Sequence, residues 1–493
     1  AKLESCALVL GSATASMESI HNARSQRYRL LTLPDRVEHR PMPEVELVDL
    51  RGQSMKSPLT PQLAAAVEAN LAASKLGATV LFLNTMFSGP QLAEVVERED
   101  PKILIHDAEF ADLLEGVSPE VKRIVAWGET GPETLSLDLL IASADDRPLD
   151  PPERAARFII LTSGTTGAPT GAQRSSPEGL AGLAGLLDAS PHRTGETMVI
   201  AAPLFHSWGF INSVIALTLG ATVVLARRFD PAGTMKLIDE QEADVLVGVP
   251  VMLHRILDLP PEESLRFRAD NMKITTLSGS SLPGGLATRW MDRYGENLYN
   301  LYGSTEVAFA AVAGPSELRT DPATAGYPPR GTSVRLIDEN GERARTGDTG
   351  RIFVSNSMTF DGYTGGGDKE RLDDYTATGD VGHIGPDGLL YIDGRDDEMI
   401  VSGGENVFPG EVEDLIAGHE DVIEVAVIGV DDEQFGQALK AWVVPADPGA
   451  IDEAAIKAFV RQNLASYKTP REVVFLEELP RNATGKILKR SLE

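Results

Sequence analysis

Polar and apolar positions fall into two regimes along the chain. From about residue 75 to 310, short apolar runs rich in β-branched residues alternate with longer mixed stretches. The runs at 78–82, 158–161, 221–225, 245–249 and 274–277 are short and flanked by Gly, Pro or Asn, so each reads as a buried strand. The longer stretches between them suit helices, and the alternation predicts α/β layers built on parallel strands. Beyond about residue 332 the pattern changes to short strands, 334–337 and 350–354, separated by Gly-Asp turns such as 338–341. From Glu398 a small separate α/β unit is expected. It comprises a hairpin, a helix starting over 411–416, strands at 425–429 and 439–444, and a helix over 451–464. The turn at Asp396 and Asp397 marks its boundary. No repeat and no low-complexity linker interrupts the chain.

Composition narrows the function classes. A chain of 493 residues exceeds one compact core, so two or three domains are expected. Hydrophobic residues make up 42%, enough to fill large cores. The formal net charge of −28 disfavours a nucleic-acid-binding surface and electrostatic attachment to anionic lipid. Cys6 is the single cysteine, which excludes an intrachain disulfide and a Cys-rich metal site and fits a reducing cytoplasm. No run of about 18 apolar residues is present, so no transmembrane helix is expected. No basic-then-apolar leader opens the sequence, so no signal peptide is expected either.

The strongest chemical motif is Leu161-Thr162-Ser163-Gly164-Thr165-Thr166-Gly167-Ala168-Pro169-Thr170-Gly171, directly after an apolar strand. Glycines permit tight turns and close backbone approach, hydroxyls add donors, and successive N–H groups form an anion-binding concavity. The same composition also suits a surface turn. No Gly-Lys-Ser/Thr follows, so it is not a Walker loop.

The run resembles the signature loop of the adenylate-forming superfamily, which includes acyl-CoA synthetases, luciferases and the adenylation domains of peptide synthetases. Further blocks follow in the order of that family. They are Asn300-Leu301-Tyr302-Gly303-Ser304-Thr305-Glu306, then Thr378-Gly379-Asp380 with Gly394-Arg395-Asp396-Asp397-Glu398, then Ser402-Gly403-Gly404-Glu405, then Thr484-Gly485-Lys486. The resemblance covers about residues 67–493 and is similar in particular to AMP-forming fatty-acid CoA ligases. It implies a large N-terminal adenylate-forming domain over 67–396, of parallel sheets with helices plus a small β subdomain. A small mobile C-terminal α+β domain over 397–493 would close on it.

The resemblance also implies roles for residues. The nucleotide would lie on Thr162, Ser163, Gly164, Thr165, Thr166 and Gly167, with Ser280, Tyr302, Gly303, Ser304 and Thr305 around the adenine and phosphates. Asp380 and Arg395 would hold the ribose, and Thr165 and Glu306 would hold Mg2+. Lys486 would stabilise the adenylating transition state. Asp397 would be the hinge, and Ser402, Gly403, Gly404 and Glu405 would line the path of coenzyme A. His206, in the aromatic segment Pro203-Leu204-Phe205-His206-Ser207-Trp208-Gly209-Phe210, would border the acyl pocket; from the residue alone a core histidine is an equal reading. The cofactors implied are ATP, Mg2+ and coenzyme A, and the substrate is a fatty or other apolar carboxylic acid. A carrier protein as acceptor in place of coenzyme A stays open. Oligomeric state is not legible.

Two departures from the family pattern stand out. Thr170 occupies a position where the family usually has Lys, which predicts a reduced rate, with Arg174 near enough in sequence to compensate in part. Residues 1–66 do not resemble this family. Gly11-Ser12-Ala13-Thr14, Leu30-Leu31-Thr32-Leu33-Pro34 and Arg40-Pro41-Met42-Pro43 resemble a fragment of the bacterial primosomal replication-restart helicase, without a nucleotide-binding loop. The large domain is therefore expected to be incomplete at its start, with apolar strand faces exposed and activity impaired or, as a chimeric or truncated product, absent.

Overall fold

A computed structural model describes residues 72–492, apart from 74, 86, 129–130, 132–133, 145–149, 151, 163–169, 176–180, 399, 403–404, 433–435 and 482–486. The segment 1–66, expected to resemble a helicase fragment, lies outside the described residues.

The centre is a six-stranded sheet in the order Ala311–Ala313, Leu298–Tyr302, Ile274–Leu277, Val245–Gly248, Thr197–Ile200 and Thr222–Leu225. All neighbours are parallel except the edge strand Ala311–Ala313. Val245–Gly248 and Ile274–Leu277 are buried at every position, as expected of parallel strands covered on both faces. One face carries Leu183, Leu186, Trp208 and Ile215 from the helices Ala181–Ala189 and Ser207–Thr218. The other carries Met235, Ile238, Leu253, Ile256 and Trp290 from Pro231–Glu240, Pro250–Leu257 and Gly284–Tyr294. Trp290 is wholly buried, and its indole N–H donates to Thr275 Oγ1 at 3.2 Å and Asn297 Oδ1 at 3.3 Å. Each such large apolar side chain contributes about 1.5–3 kcal/mol by leaving water. The helix at Pro231 starts where its composition demands: Asp230 accepts the Gly233 N–H at 2.6 Å, and proline occupies the first turn.

A second sheet departs from the parallel expectation. Thr79–Phe82 runs parallel to Arg157–Thr162, but Thr170–Ser175 returns antiparallel and pairs in turn with Gly362–Tyr363. The Ser/Thr/Gly-rich segment thus joins the two arms of a hairpin, whose last paired residues are Thr162 and Thr170. A small parallel pair, Ile103–Asp107 with Lys122–Trp127, stands apart; Leu104 is buried while Ile103 and Ile105 are exposed.

The third sheet is antiparallel throughout: Thr324–Gly326, Leu390–Arg395, Tyr375–Ile384, Gly350–Ser355 and Ser333–Ile337. The short turn Asp396–Glu398 follows its strand Leu390–Arg395 and contains the expected hinge position. Beyond it lies the last sheet, Glu405–Val407, Ile400–Ser402, Gly436–Pro445 and Val422–Asp432, with Glu472–Phe475 parallel to Gly436–Pro445. The helices Pro409–Ala417 and Glu453–Asn463 pack on it through Val412, Ile416, Ile456 and Val460. No helix among the described residues is long and apolar enough to cross a membrane.

Candidate functional site

The site begins where the strand Leu298–Tyr302 leaves the central sheet. At Gly303 a Cβ would stand 2.1 Å from the Ala308 carbonyl oxygen, so only glycine lets the chain fold back this tightly. The return is fastened by the Ala310 N–H donating to the Tyr302 carbonyl at 2.8 Å. Inside this turn Ser304 Oγ accepts the N–H groups of Glu306 and Val307 at 3.2 and 3.4 Å. Thr305 Oγ1 accepts from Ser207 Oγ at 3.4 Å, which joins the turn to the start of the helix behind His206.

Glu306 is buried, and its Oε1 accepts from the Tyr363 hydroxyl at 2.7 Å. Burial and the Glu306 carboxylate hold the Tyr363 proton on well beyond the usual phenol range. Arg174 donates to the Thr305 carbonyl at 2.6 Å. Burial pulls the Arg174 guanidinium down to about 10, opposed by the nearby charges of Glu306 and Asp361. The cation expected to compensate for Thr170 thus lies in the field of Glu306 and Asp361, its Nε buried without a partner among the described residues.

Asp380 and Arg395 are register partners on the antiparallel strands Tyr375–Ile384 and Leu390–Arg395. Asp380 Oδ1 accepts from Arg395 at 3.2 Å, and Oδ2 accepts from the Tyr302 hydroxyl at 2.6 Å. Burial first, and the Asp380 charge second, raise the Tyr302 hydroxyl well above the ordinary value, so it stays a donor. The Asp380 N–H is held by Thr378 Oγ1 at 3.0 Å. Three predicted residues from two sheets are thus bonded together. A single carboxylate fixed by a phenol and a guanidinium is suited to accept hydroxyl donors of a sugar.

The remaining predicted residues are placed less fully. Thr162 Oγ1 donates to the Thr170 carbonyl at 3.2 Å across the mouth of the hairpin. Ser280 is exposed, and its hydroxyl donates to the neighbouring Ser281 carbonyl at 3.5 Å. Ser402 and Glu405 are directly paired on adjacent strands, and Asp397 lies in the turn before them. Ser163, Gly164, Thr165, Thr166, Gly167, Gly403, Gly404 and Lys486 lie outside the described residues. The described residues on either side of Lys486 are tied to the small unit. Arg481 pairs with Glu424 and with Ile487 across the backbone, and Lys489 bridges Glu398 at 2.9 Å and Glu413 at 3.0 Å.

His206 precedes the helix Ser207–Thr218, its ring 4.5 Å from that of Phe205. Trp208 is buried and donates to the Gly248 carbonyl at 3.0 Å, and Phe210 packs against Phe82 and Phe158 at 4.8 and 4.9 Å. No charged residue occurs in 203–210. Burial lowers the His206 pKa from 6.5 to about 4, so the ring is neutral at neutral pH. Its folded pKa is depressed, so the unfolded chain binds the extra proton, and stability falls as pH drops from about 6.5 to about 4. His206→Phe should flatten that part of the stability curve relative to the parent chain, as read by denaturant unfolding at pH 4.5 and 7. An unchanged slope would mean that the ring titrates normally.

Sequence reasoning missed Tyr363, which lies beside a glycine run with no periodic signal, and did not anticipate that Arg174 turns toward Glu306. A magnesium ion fits the donor set. Glu306 presents a buried carboxylate of which only Oε1 is engaged by a described residue, and no cluster of three or more His, Cys, Asp or Glu exists among the described residues. One carboxylate plus substrate phosphates is a common way to hold Mg2+.

Comparison with known proteins places these features in context. The sequence profile of the family described as AMP-binding enzyme matches residues 59–364, and that of the AMP-binding enzyme C-terminal domain matches 411–486. The chain is 32% identical over 428 residues to indoleacetate–CoA ligase of Aromatoleum aromaticum, covering 85% of this chain and 83% of that one. It is 29% identical over 427 residues to long-chain-fatty-acid–CoA ligase FadD13 of Mycobacterium tuberculosis, covering 85% and 84%. Its fold is similar to the crystal structure of ATP-bound MatB from Rhodopseudomonas palustris, with a TM-score of 0.76, 28% identity, and 90% and 89% of the two chains covered.

Proposed function

Because the chain belongs to the AMP-binding enzyme family, we propose that it activates an apolar carboxylic acid, a fatty acid foremost. The reaction class is that of adenylate-forming CoA ligases, which use ATP, Mg2+ and coenzyme A. A carboxylate oxygen attacks the α-phosphorus of ATP and pyrophosphate leaves. The coenzyme A sulfur then attacks the acyl carbon, the thiol proton is released, and AMP leaves.

In this reading Asp380, held by Tyr302 and Arg395, accepts the ribose hydroxyls. Glu306 would hold Mg2+, which when bound neutralises phosphate charge. The loop between Thr162 and Thr170 receives the polyphosphate, and Lys486 meets the charge that develops at the α-phosphate. Asp397 is the pivot that exchanges the Lys486 segment for the Ser402–Glu405 hairpin between the two steps.

The observation that carries the choice of acid is the segment 203–210, which has no charged side chain and a neutral His206, with Trp208 and Phe210 packed into apolar surroundings. A charged tail would lose hydration there without a partner. Relatives act on both aryl and long-chain acids by name. The test is AMP and acyl-CoA release by the purified chain with Mg·ATP, coenzyme A, fatty acids of graded length, indoleacetate and ferulate. AMP and acyl-CoA should appear in equal amounts, with the highest kcat/KM on a fatty acid. A higher value on an aryl acid would replace the fatty-acid reading, and no AMP from folded protein would remove the activity.

A further inference from the structure

We propose that Lys369 binds a phosphate of the nucleotide and supplies a cation that Thr170 does not. The proposal rests on the reading of Asp380 and Arg395 as the ribose site. Gly379, between Thr378 and Asp380, has φ +86°, a conformation that side chains with a Cβ rarely adopt. A Cβ placed there would lie 3.4 Å from Lys369 Nζ and 3.4 Å from an Arg395 guanidinium nitrogen. Two cationic groups thus converge on the one bare stretch of backbone next to the Asp380 carboxylate.

The carboxylates around Lys369 are engaged by other partners. Asp368 pairs with Arg371 at 2.8 Å, and Glu370 and Asp396 both pair with Arg351. Asp380 is occupied by Tyr302 and Arg395. Among the described residues, no carboxylate forms an ion pair with Lys369. The side chain is nevertheless half-buried, although 365–368 and 370–374 are exposed on either side. The lysine therefore turns inward between acidic neighbours that turn to arginines.

An ammonium drawn out of water beside a guanidinium is unfavourable unless an anion joins them. A nucleotide with its ribose on Asp380 brings that anion. Arg174 already has two carboxylates in its field, Glu306 and Asp361, and donates to the Thr305 carbonyl. Thr170 sits at the base of the hairpin with no charge to offer. The bland explanation is that the lysine stem only covers apolar surface, and this predicts no selectivity for phosphate.

The experiment compares binding of ATP, AMP and adenosine to the full chain, to Lys369→Gln and to Lys369→Arg by calorimetry, without acid or coenzyme A. Lys369→Gln should weaken ATP and AMP by about tenfold, the scale of one hydrogen bond to a charged group. Adenosine should be held within about twofold, and Lys369→Arg should restore most of the loss. Unchanged nucleotide affinity, or equal loss for adenosine and AMP, would overturn the role of Lys369. Failure of the parent chain to bind any nucleotide would overturn the reading of the site itself, and Lys369 with it.

Discussion

Glu306→Gln should reduce acid-dependent AMP release by about 10²- to 10³-fold, the scale of losing one preorganised electrostatic group from a phosphoryl-transfer site. The substitution is chosen because it keeps the shape. The amide oxygen can still accept from the Tyr363 hydroxyl, now 2.7 Å from Oε1, and the Phe360 N–H still donates to the residue 306 carbonyl at 2.7 Å. Only the charge is lost. Arg174 keeps its bond to the Thr305 carbonyl and the neighbouring charge of Asp361, but it loses the larger of the two carboxylate charges that face it. The expected signature is a fall in kcat together with a rise in the Mg2+ concentration needed for half-maximal rate, with some loss of thermal stability through the buried Arg174. Tyr363→Phe serves as the comparison, because it removes a neutral hydrogen bond worth about 1 kcal/mol and leaves the carboxylate charged. Comparable losses in both variants would show that Glu306 acts by holding the turn together and not by its charge.

Much of the fold was readable from the sequence, for a physical reason. Strands buried on both faces must be short, apolar and β-branched, so 245–249 and 274–277 announced themselves and were observed as Val245–Gly248 and Ile274–Leu277. The small unit after Asp396 was equally plain, with the expected helix over 451–464 observed as Glu453–Asn463 behind an Asp452 cap. The strand Thr170–Ser175 escaped notice. Its sequence Thr-Gly-Ala-Gln-Arg-Ser carries no apolar pattern, and it is a strand because hairpin closure and the edge strand Gly362–Tyr363 pair with it on both sides. The expectation of parallel strands throughout the first region failed at that point.

The chemistry divides similarly. Tyr302, Asp380 and Arg395 were identified as motif residues, but their bonding to one another follows from strand register, which places Asp380 opposite Arg395 across a shift between Val381 and Gly382. No local pattern encodes that. Arg174 shows the converse. Proximity in sequence suggested a partner for the loop at Thr170; the bond observed is to the Thr305 carbonyl, near the buried Glu306, while the loop itself lies outside the described residues. Tyr363 and Lys369 lie on either side of Gly365-Gly366-Gly367, where periodicity has nothing to say. Tyr363 reaches Glu306 because the chain there pairs with the hairpin strand, the Thr364 N–H donating to the Gly171 carbonyl at 2.8 Å.

Lys486→Ala should separate the two half-reactions. Formation of acyl-AMP from acid and ATP should fall by about 10²- to 10³-fold, because an ammonium aimed at developing phosphate charge acts only in that transition state. Conversion of preformed acyl-AMP and coenzyme A to the thioester should stay within about twofold of the parent rate, since the phosphoryl transfer is already complete. The surrounding anchors make the substitution interpretable. Arg481 remains paired with Glu424, and the Leu488 N–H remains on the Pro480 carbonyl at 2.7 Å. Burial works against the charge of Lys489, but Glu413 and Glu398 outweigh it and raise its pKa, so this tie between the C-terminal segment and the turn Asp396–Glu398 stays charged. Removing Lys486 therefore deletes one cation while the ties of Arg481, Leu488 and Lys489 remain. Single-turnover measurements with labelled ATP, and separately with synthetic acyl-AMP, read the two rates directly. Equal loss in both would mean that the substitution disturbs the pivot at Asp397 and that Lys486 has no role peculiar to adenylation.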